Sequence, residues 1–158
     1  MLPYLRENFG NPSSRTHDFG LNAAAAVETA RSHVATLVGA TPREIIFTSG
    51  ATEANNLAIK GLCAGWQGQA AHVITCETEH HAVLDVLASV GHTHKDLRVT
   101  RIKVDRQGII DLDALDAALA HGARLLCVMA ANNETGVLQP LDAIAQRLLG
   151  RDVIWHCD

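Results

Sequence analysis

The chain has 158 residues, of which 47% are hydrophobic and 19% charged, and its formal net charge is −4. This composition excludes a disordered chain and predicts a globular domain with a sizeable core. The acidic balance and the lack of Lys/Arg runs argue against nucleic acid or an anionic membrane as the main partner. No apolar run approaches transmembrane length.

Cysteine usage and the first residues indicate the compartment. The four cysteines, Cys63, Cys76, Cys127 and Cys157, are widely spaced and form no CxxC pair. No metal site or disulfide framework is therefore predicted. The first seven residues lack the layout of a signal peptide. A reducing cytoplasm is the compartment that these features favour.

The hydrophobic pattern alternates between helical and strand periods along the whole chain. We read this as one α/β domain over residues 1–158, a mostly parallel sheet flanked by helices on both faces. Asp111 is the expected N-cap of one helix, and Pro140 leads into another. The predicted helices span 18–38, 53–62, 81–89, 112–120 and 141–149, and the predicted strands span 45–48, 72–76, 98–104, 125–130 and 152–157.

The first strand is predicted to turn directly into a helix through Ser49, Gly50, Ala51 and Thr52. The first N–H groups of a helix have no intrahelical partner, and they coincide with the positive end of the helix dipole. Gly50 permits close approach of a ligand, while Ser49 and Thr52 add hydroxyl donors. The turn therefore predicts a phosphate site. The alternative is that Ser49 and Thr52 only cap the helix.

Polar residues follow three further strands of the predicted sheet, and among them are His80, Asn133 and Asp158. Ligands of parallel sheets collect beyond the carboxyl ends of the strands. The set suits a phosphorylated pyridine, because an imidazole can stack on the ring, an amide can bond a ring hydroxyl and a carboxylate can pair with the ring nitrogen. Each residue also has an ordinary interpretation: His80 as a cap, Asn133 as a turn residue and Asp158 without a role.

Five segments of the chain resemble the motifs of cysteine desulfurases, which are pyridoxal-phosphate enzymes of the class V aminotransferase superfamily, fold type I. The order and spacing of the segments agree with that family along essentially the whole chain. The segments are Asn11-Pro12-Ser13-Ser14, Thr48-Ser49-Gly50-Ala51-Thr52-Glu53, Thr78-Glu79-His80, Asn132-Asn133-Glu134-Thr135-Gly136 and His156-Cys157-Asp158.

The resemblance implies a function and a role for each candidate residue. Ala51 and Thr52 would bind the cofactor phosphate, and His80 would stack on the ring and assist proton transfer. Asn133 would contact the ring hydroxyl, and Asp158 would pair with the ring nitrogen. The family takes sulfur from L-cysteine, leaving L-alanine and an enzyme persulfide for iron–sulfur clusters or tRNA thiolation. The implied partners are a sulfur-acceptor scaffold or tRNA-thiolation proteins, and a second copy in a homodimer.

The resemblance implies that residues 1–158 are part of the large, pyridoxal-phosphate-binding domain of the family, and it places several family features outside these residues. The lysine that attaches the cofactor, the nucleophilic cysteine, a substrate-binding arginine and a small C-terminal domain would all follow Asp158. We therefore expect this chain alone not to convert cysteine, and we expect an uncovered sheet edge to promote aggregation. Two alternatives are another enzyme of the superfamily, such as selenocysteine lyase, and a non-catalytic binding or assembly module of the same fold.

Overall fold

The computed structural model describes every residue from Met1 to Asp158, and the chain divides into two units, Met1–Phe47 and Thr48–Asp158. In the first unit, α1 spans Leu2–Arg6 and α2 spans Asp18–Val38. Gly39 ends α2 in the left-handed conformation, with φ of 69°, which glycine adopts without steric cost. A short 3-10 turn follows at Pro42–Glu44.

The second unit alternates helices and strands. All four strands are parallel, in the order β2-β1-β3-β4. Asp111 caps α5, as predicted, by accepting hydrogen bonds from the N–H groups of Asp113 and Ala114. The elements are α3 Ala51–Gly65, β1 Ala71–Cys76, α4 His81–Thr93, β2 Leu97–Ile102, α5 Leu112–Leu119, β3 Leu125–Cys127, α6 Leu141–Leu148 and β4 Ile154–His156.

The sheet carries a hydrophobic core on each face, because successive strand residues point to opposite sides. Val73 and Leu125 pack on one side with residues of α3 and α4, such as Ile59 and Leu87. Ile74, Leu126 and Val128 pack on the other side, with Leu115 of α5 and Ile144 of α6. The prediction of a parallel sheet covered by helices on both faces is therefore confirmed.

The predicted strand over 45–48 is wrong. Residues 45–48 have no regular secondary structure and pair with no other strand. Extended backbone becomes a strand only when a neighbour accepts and donates its hydrogen bonds, and an apolar run does not supply that neighbour. The side chains of Ile46 and Phe47 are accordingly exposed, by 66% and 49%.

The remaining elements lie close to their predicted positions. Helix α2 matches its predicted bounds, whereas β3 and β4 have three residues each and are shorter than predicted. Helix α1 was not predicted. None of the helices combines the length and the apolar character needed to cross a membrane.

Candidate functional site

The candidate site lies at one edge of the sheet of the second unit. Strands β1, β3 and β4 are neighbours and parallel, so their carboxyl ends meet at the same edge. The segment after β1 contains His80, the segment after β3 contains Asn133, and the segment after β4 contains Asp158. The fold therefore places three of the five candidate residues at one edge, and Ala51 and Thr52 begin α3.

The N-terminus of α3 is open to solvent. Gly50 is the N-cap residue, and no side chain caps the first turn. A Cβ atom added at Gly50 would meet no atom within 4 Å, so the space in front of the turn is free. The Ser49 N–H and hydroxyl both donate to the Glu53 carboxylate, at 2.6 Å each. The hydrogen bonds from Ser49 lower the pKa of Glu53. Ala51 and Thr52 thus present the unbonded N–H groups that an anion binds.

A buried amide connects α3 to the end of β4. Asn55 is 2% exposed, and its Nδ2 donates to Asp158 Oδ1 at 2.9 Å. Its Oδ1 lies 2.9 Å from His156 Nε2. Asn55 is one helical turn beyond Ala51, so this contact brings the Asp158 carboxylate to the first turns of α3. Within residues 1–158, no group donates to the second carboxylate oxygen of Asp158.

A buried carboxyl group connects β1 to β3. Glu79 is 5% exposed, and its Oε1 accepts from the Met129 N–H at 2.8 Å. Its Oε2 is buried without a hydrogen-bond partner. Burial raises the pKa of Glu79 to about 7, and the nearby charge of Asp158 contributes to the shift, so a large share of Glu79 is neutral at pH 7.

His80 and Asn133 line a common cavity of about 250 Å³, together with neighbouring residues of the two segments. His80 caps α4, because its Nδ1 accepts from the Ala82 N–H at 3.1 Å. Asn132 fixes the opposite wall. Its Nδ2 donates to the Thr78 carbonyl oxygen at 2.9 Å, and its Oδ1 accepts from the N–H groups of Glu134 and Thr135. The side chain of Asn133 is left exposed.

The structure thus divides the candidates between two places at this edge of the sheet rather than gathering them in one cavity. Thr52 and Asp158 belong to the α3 and β4 side, and neither lines the cavity that His80 and Asn133 share. The sequence interpretation assigned no role to Asn55, His156 or Glu79. A polar Asn55 in line with Ile59 and Cys63 on the buried face of α3 is a signal that could have identified the first.

Comparison with known proteins finds relatives that match the whole chain. The mitosomal cysteine desulfurase of Trachipleistophora hominis is 48% identical over 161 residues, which cover 100% of this chain and 36% of the relative. The solved structure named "NIFS-like protein" superposes with a TM-score of 0.89 at 33% identity, over 99% of this chain and 43% of that one. The solved structure "SspA in complex with cysteine" has a TM-score of 0.86 at 33% identity, over 99% and 44%.

The chain spans about a third of the length of the curated relatives that it matches. The family model described as aminotransferase class-V matches residues 1–158, which is the whole chain. Because this match covers the whole chain, the chain belongs to the aminotransferase class-V family.

Proposed function

We propose that residues 1–158 form the cofactor-binding part of a pyridoxal-phosphate-dependent cysteine desulfurase. The observation that carries the proposal is the similarity of the entire chain to a cysteine desulfurase at 48% identity. A structurally similar protein whose name states a complex with cysteine supports L-cysteine as the substrate. In the overall reaction, sulfur passes from L-cysteine to an enzyme thiol, and the products are L-alanine and an enzyme persulfide.

The residues at the carboxyl edge fit pyridoxal phosphate. The uncapped first turn of α3 offers N–H donors and a positive dipole end to a phosphate dianion. The free oxygen of Asp158 can accept a hydrogen bond from a protonated ring nitrogen. When bound, the cofactor supplies an electron-accepting pyridinium ring that weakens the bonds to the α-carbon of the amino acid.

Each candidate residue then has a task that its own contacts allow. Ala51 and Thr52 bind the phosphate through backbone N–H groups, and Thr52 adds its hydroxyl. The ring of His80 is held by the Ala82 N–H, which donates to Nδ1, so the proton of the neutral ring lies on Nε2 and this N–H is free to donate a hydrogen bond. Asn133 presents an exposed amide for the ring hydroxyl, while Asp158 orients the ring through its nitrogen.

The partners and the compartment belong to the same proposal. A sulfur-acceptor scaffold or tRNA-thiolation proteins would receive the sulfur, and a second copy of the full protein would complete a homodimer. The cytoplasm is the proposed compartment, and the four free cysteines fit its reducing conditions. None of these four cysteines is assigned the nucleophilic role.

Titration of the chain with pyridoxal phosphate, followed by absorbance and fluorescence, tests the cofactor assignment. We expect saturable binding that Thr52→Ala weakens about fivefold, the value of one hydrogen bond of about 1 kcal/mol. Thr29→Ala is the matched control, because Thr29 lies on the exposed surface of α2. Absence of binding, or equal binding by both variants, would contradict the assignment.

The substrate is tested separately. The longest natural polypeptide that contains these residues should form alanine from L-cysteine, with L-selenocysteine as the comparison substrate. The chain of 158 residues, mixed with the cofactor, should form no more alanine than free pyridoxal phosphate does. A preference for selenocysteine would favour the lyase alternative.

A further inference from the structure

Asn55 has an amide side chain at a position where the amphipathic pattern of α3 predicts an apolar one. It lies in line with Ile59 and Cys63 on the buried face of α3 and is 2% exposed. A buried amide is costly unless both of its polar atoms are hydrogen-bonded. Both are bonded here, to two residues that are more than a hundred positions away, Asp158 and His156.

The direction of these hydrogen bonds follows from the chemistry of the groups. An ionised carboxylate only accepts hydrogen bonds, so the NH₂ group of Asn55 must face Asp158. The carbonyl oxygen of Asn55 then faces His156, and Nε2 of that histidine must carry the proton. Burial lowers the pKa of His156, although the charge of Asp158 opposes the shift. The neutral Nε2–H form therefore satisfies the contact at neutral pH.

The backbone around His156 is fixed as well. His156 pairs with Cys127 in the parallel ladder of β3 and β4, and its carbonyl oxygen accepts from the Val128 N–H at 3.1 Å. One end of the chain of hydrogen bonds is thus anchored in the sheet. The other end reaches the Asp158 carboxylate, whose second oxygen is free.

We propose that Asn55 is a positioning residue, which links His156 to Asp158 in a directed hydrogen-bond relay. In this relay Asn55 holds the Asp158 carboxylate in place as the acceptor for a cationic ring nitrogen. The inference rests on the proposed function for the identity of the ring. It assigns no chemical step to Asn55, which touches neither the cofactor nor the substrate.

The half of the relay between Asn55 and His156 is tested without any ligand. Nitrogen-15 NMR of the histidine rings reports which ring nitrogen carries the proton. We expect His156 in the Nε2–H form in the wild-type chain, and a mixture with the Nδ1–H form in Asn55→Leu. An unchanged tautomer in the variant would overturn the relay. Leucine has the same number and branching of side-chain heavy atoms as asparagine and suits the apolar face of α3, so we expect the variant to fold.

The half between Asn55 and Asp158 is tested with two ligands, pyridoxal phosphate and its analogue with carbon in place of the ring nitrogen. We expect Asn55→Leu to lower the affinity for pyridoxal phosphate about tenfold, which corresponds to the lower range for a hydrogen bond to a charged group. The affinity for the analogue should fall less than about twofold. Asn22→Leu, on the exposed surface of α2, is the matched control.

The outcomes separate the inference from the proposed function. An equal loss of affinity for both ligands would mean that Asn55 contributes only to packing, and it would overturn the relay. If neither ligand binds the wild-type chain, the cofactor assignment fails. In that case the NMR result decides on the relay alone.

Discussion

At the scale of single residues, Glu79 is the acidic side chain that lies in the core. Its Oε1 holds the Met129 N–H, and its Oε2 has no partner. Burial of the carboxyl group disfavours the charged form and raises its pKa from the ordinary 4.5 to about 7. The folded chain therefore binds more protons than the unfolded chain between these two values, and its stability falls as the pH rises through this interval.

We expect Glu79→Gln to remove this pH dependence. The wild-type chain should lose up to about 3 kcal/mol of unfolding free energy, relative to the variant, between pH 4.5 and pH 7, and the difference should then level off. The measurement is urea unfolding of both proteins across this range. His72 and His156 have lowered pKa values and act in the opposite direction, but they are common to both proteins and cancel in the difference. Parallel curves for the two proteins would refute the burial of a neutral Glu79.

The four cysteines differ in their exposure to solvent. Cys63, Cys76 and Cys127 are at most 1% exposed, and burial raises the pKa of each thiol, whereas Cys157 is exposed. A thiol reagent at pH 8 should therefore label Cys157 quickly and the other three on the order of a thousandfold more slowly. Colour release from an aromatic disulfide reagent measures this. Cys157→Ser should abolish the fast phase, and a remaining fast phase would mean that a core cysteine is accessible.

At the scale of elements, the connections are held by side chains that replace missing backbone partners. Gln139 is buried between the turn that follows β2 and the segment that leads into α6. Its Oε1 accepts from the Ile110 N–H at 2.9 Å, and its Nε2 donates to the Gly108 carbonyl oxygen at 2.8 Å. A single side chain therefore fastens the β2–α5 connection to the β3–α6 connection.

We expect Gln139→Leu to lower the unfolding free energy by about 2–3 kcal/mol, because it leaves a buried N–H and a carbonyl oxygen without partners. Urea unfolding provides the measurement. Gln107→Leu makes the same chemical change at an exposed position and should stay within about 0.5 kcal/mol of the wild type. Similar values for the two variants would show that Gln139 does not join the connections.

At the scale of the whole molecule, the stability of the second unit depends on the two cores that sandwich its sheet. The side chain of Leu126 is fully buried at the centre of the face that α5 and α6 cover. The residues on this face come from widely separated parts of the chain. A destabilising substitution in β3 should therefore lower the unfolding free energy of the whole second unit.

We expect Leu126→Ala to cost about 2–5 kcal/mol of unfolding free energy, through lost burial and the cavity that it leaves. Leu138→Ala is the matched control, because Leu138 is 71% exposed, and it should cost less than about 0.5 kcal/mol. Thermal unfolding followed by circular dichroism compares the two. A cost below about 1 kcal/mol for Leu126→Ala would contradict a close-packed sheet face.

The class of the fold could be predicted from the sequence, because hydrophobic periodicity reports which face of an element is buried. The sequence also located α2 and, with small errors at the ends, the other elements of the second unit. It also determined the motifs around Thr52, His80, Asn133 and Asp158, whose roles stay predictions. That residues 45–48 form no strand became clear only from the three-dimensional arrangement, because a strand requires a hydrogen-bonded neighbour. The three-dimensional arrangement also decided the partners of Asn55 and Glu79, which lie 103 and 50 positions away. No local pattern specifies such contacts, since they depend on which strand ends the fold brings together.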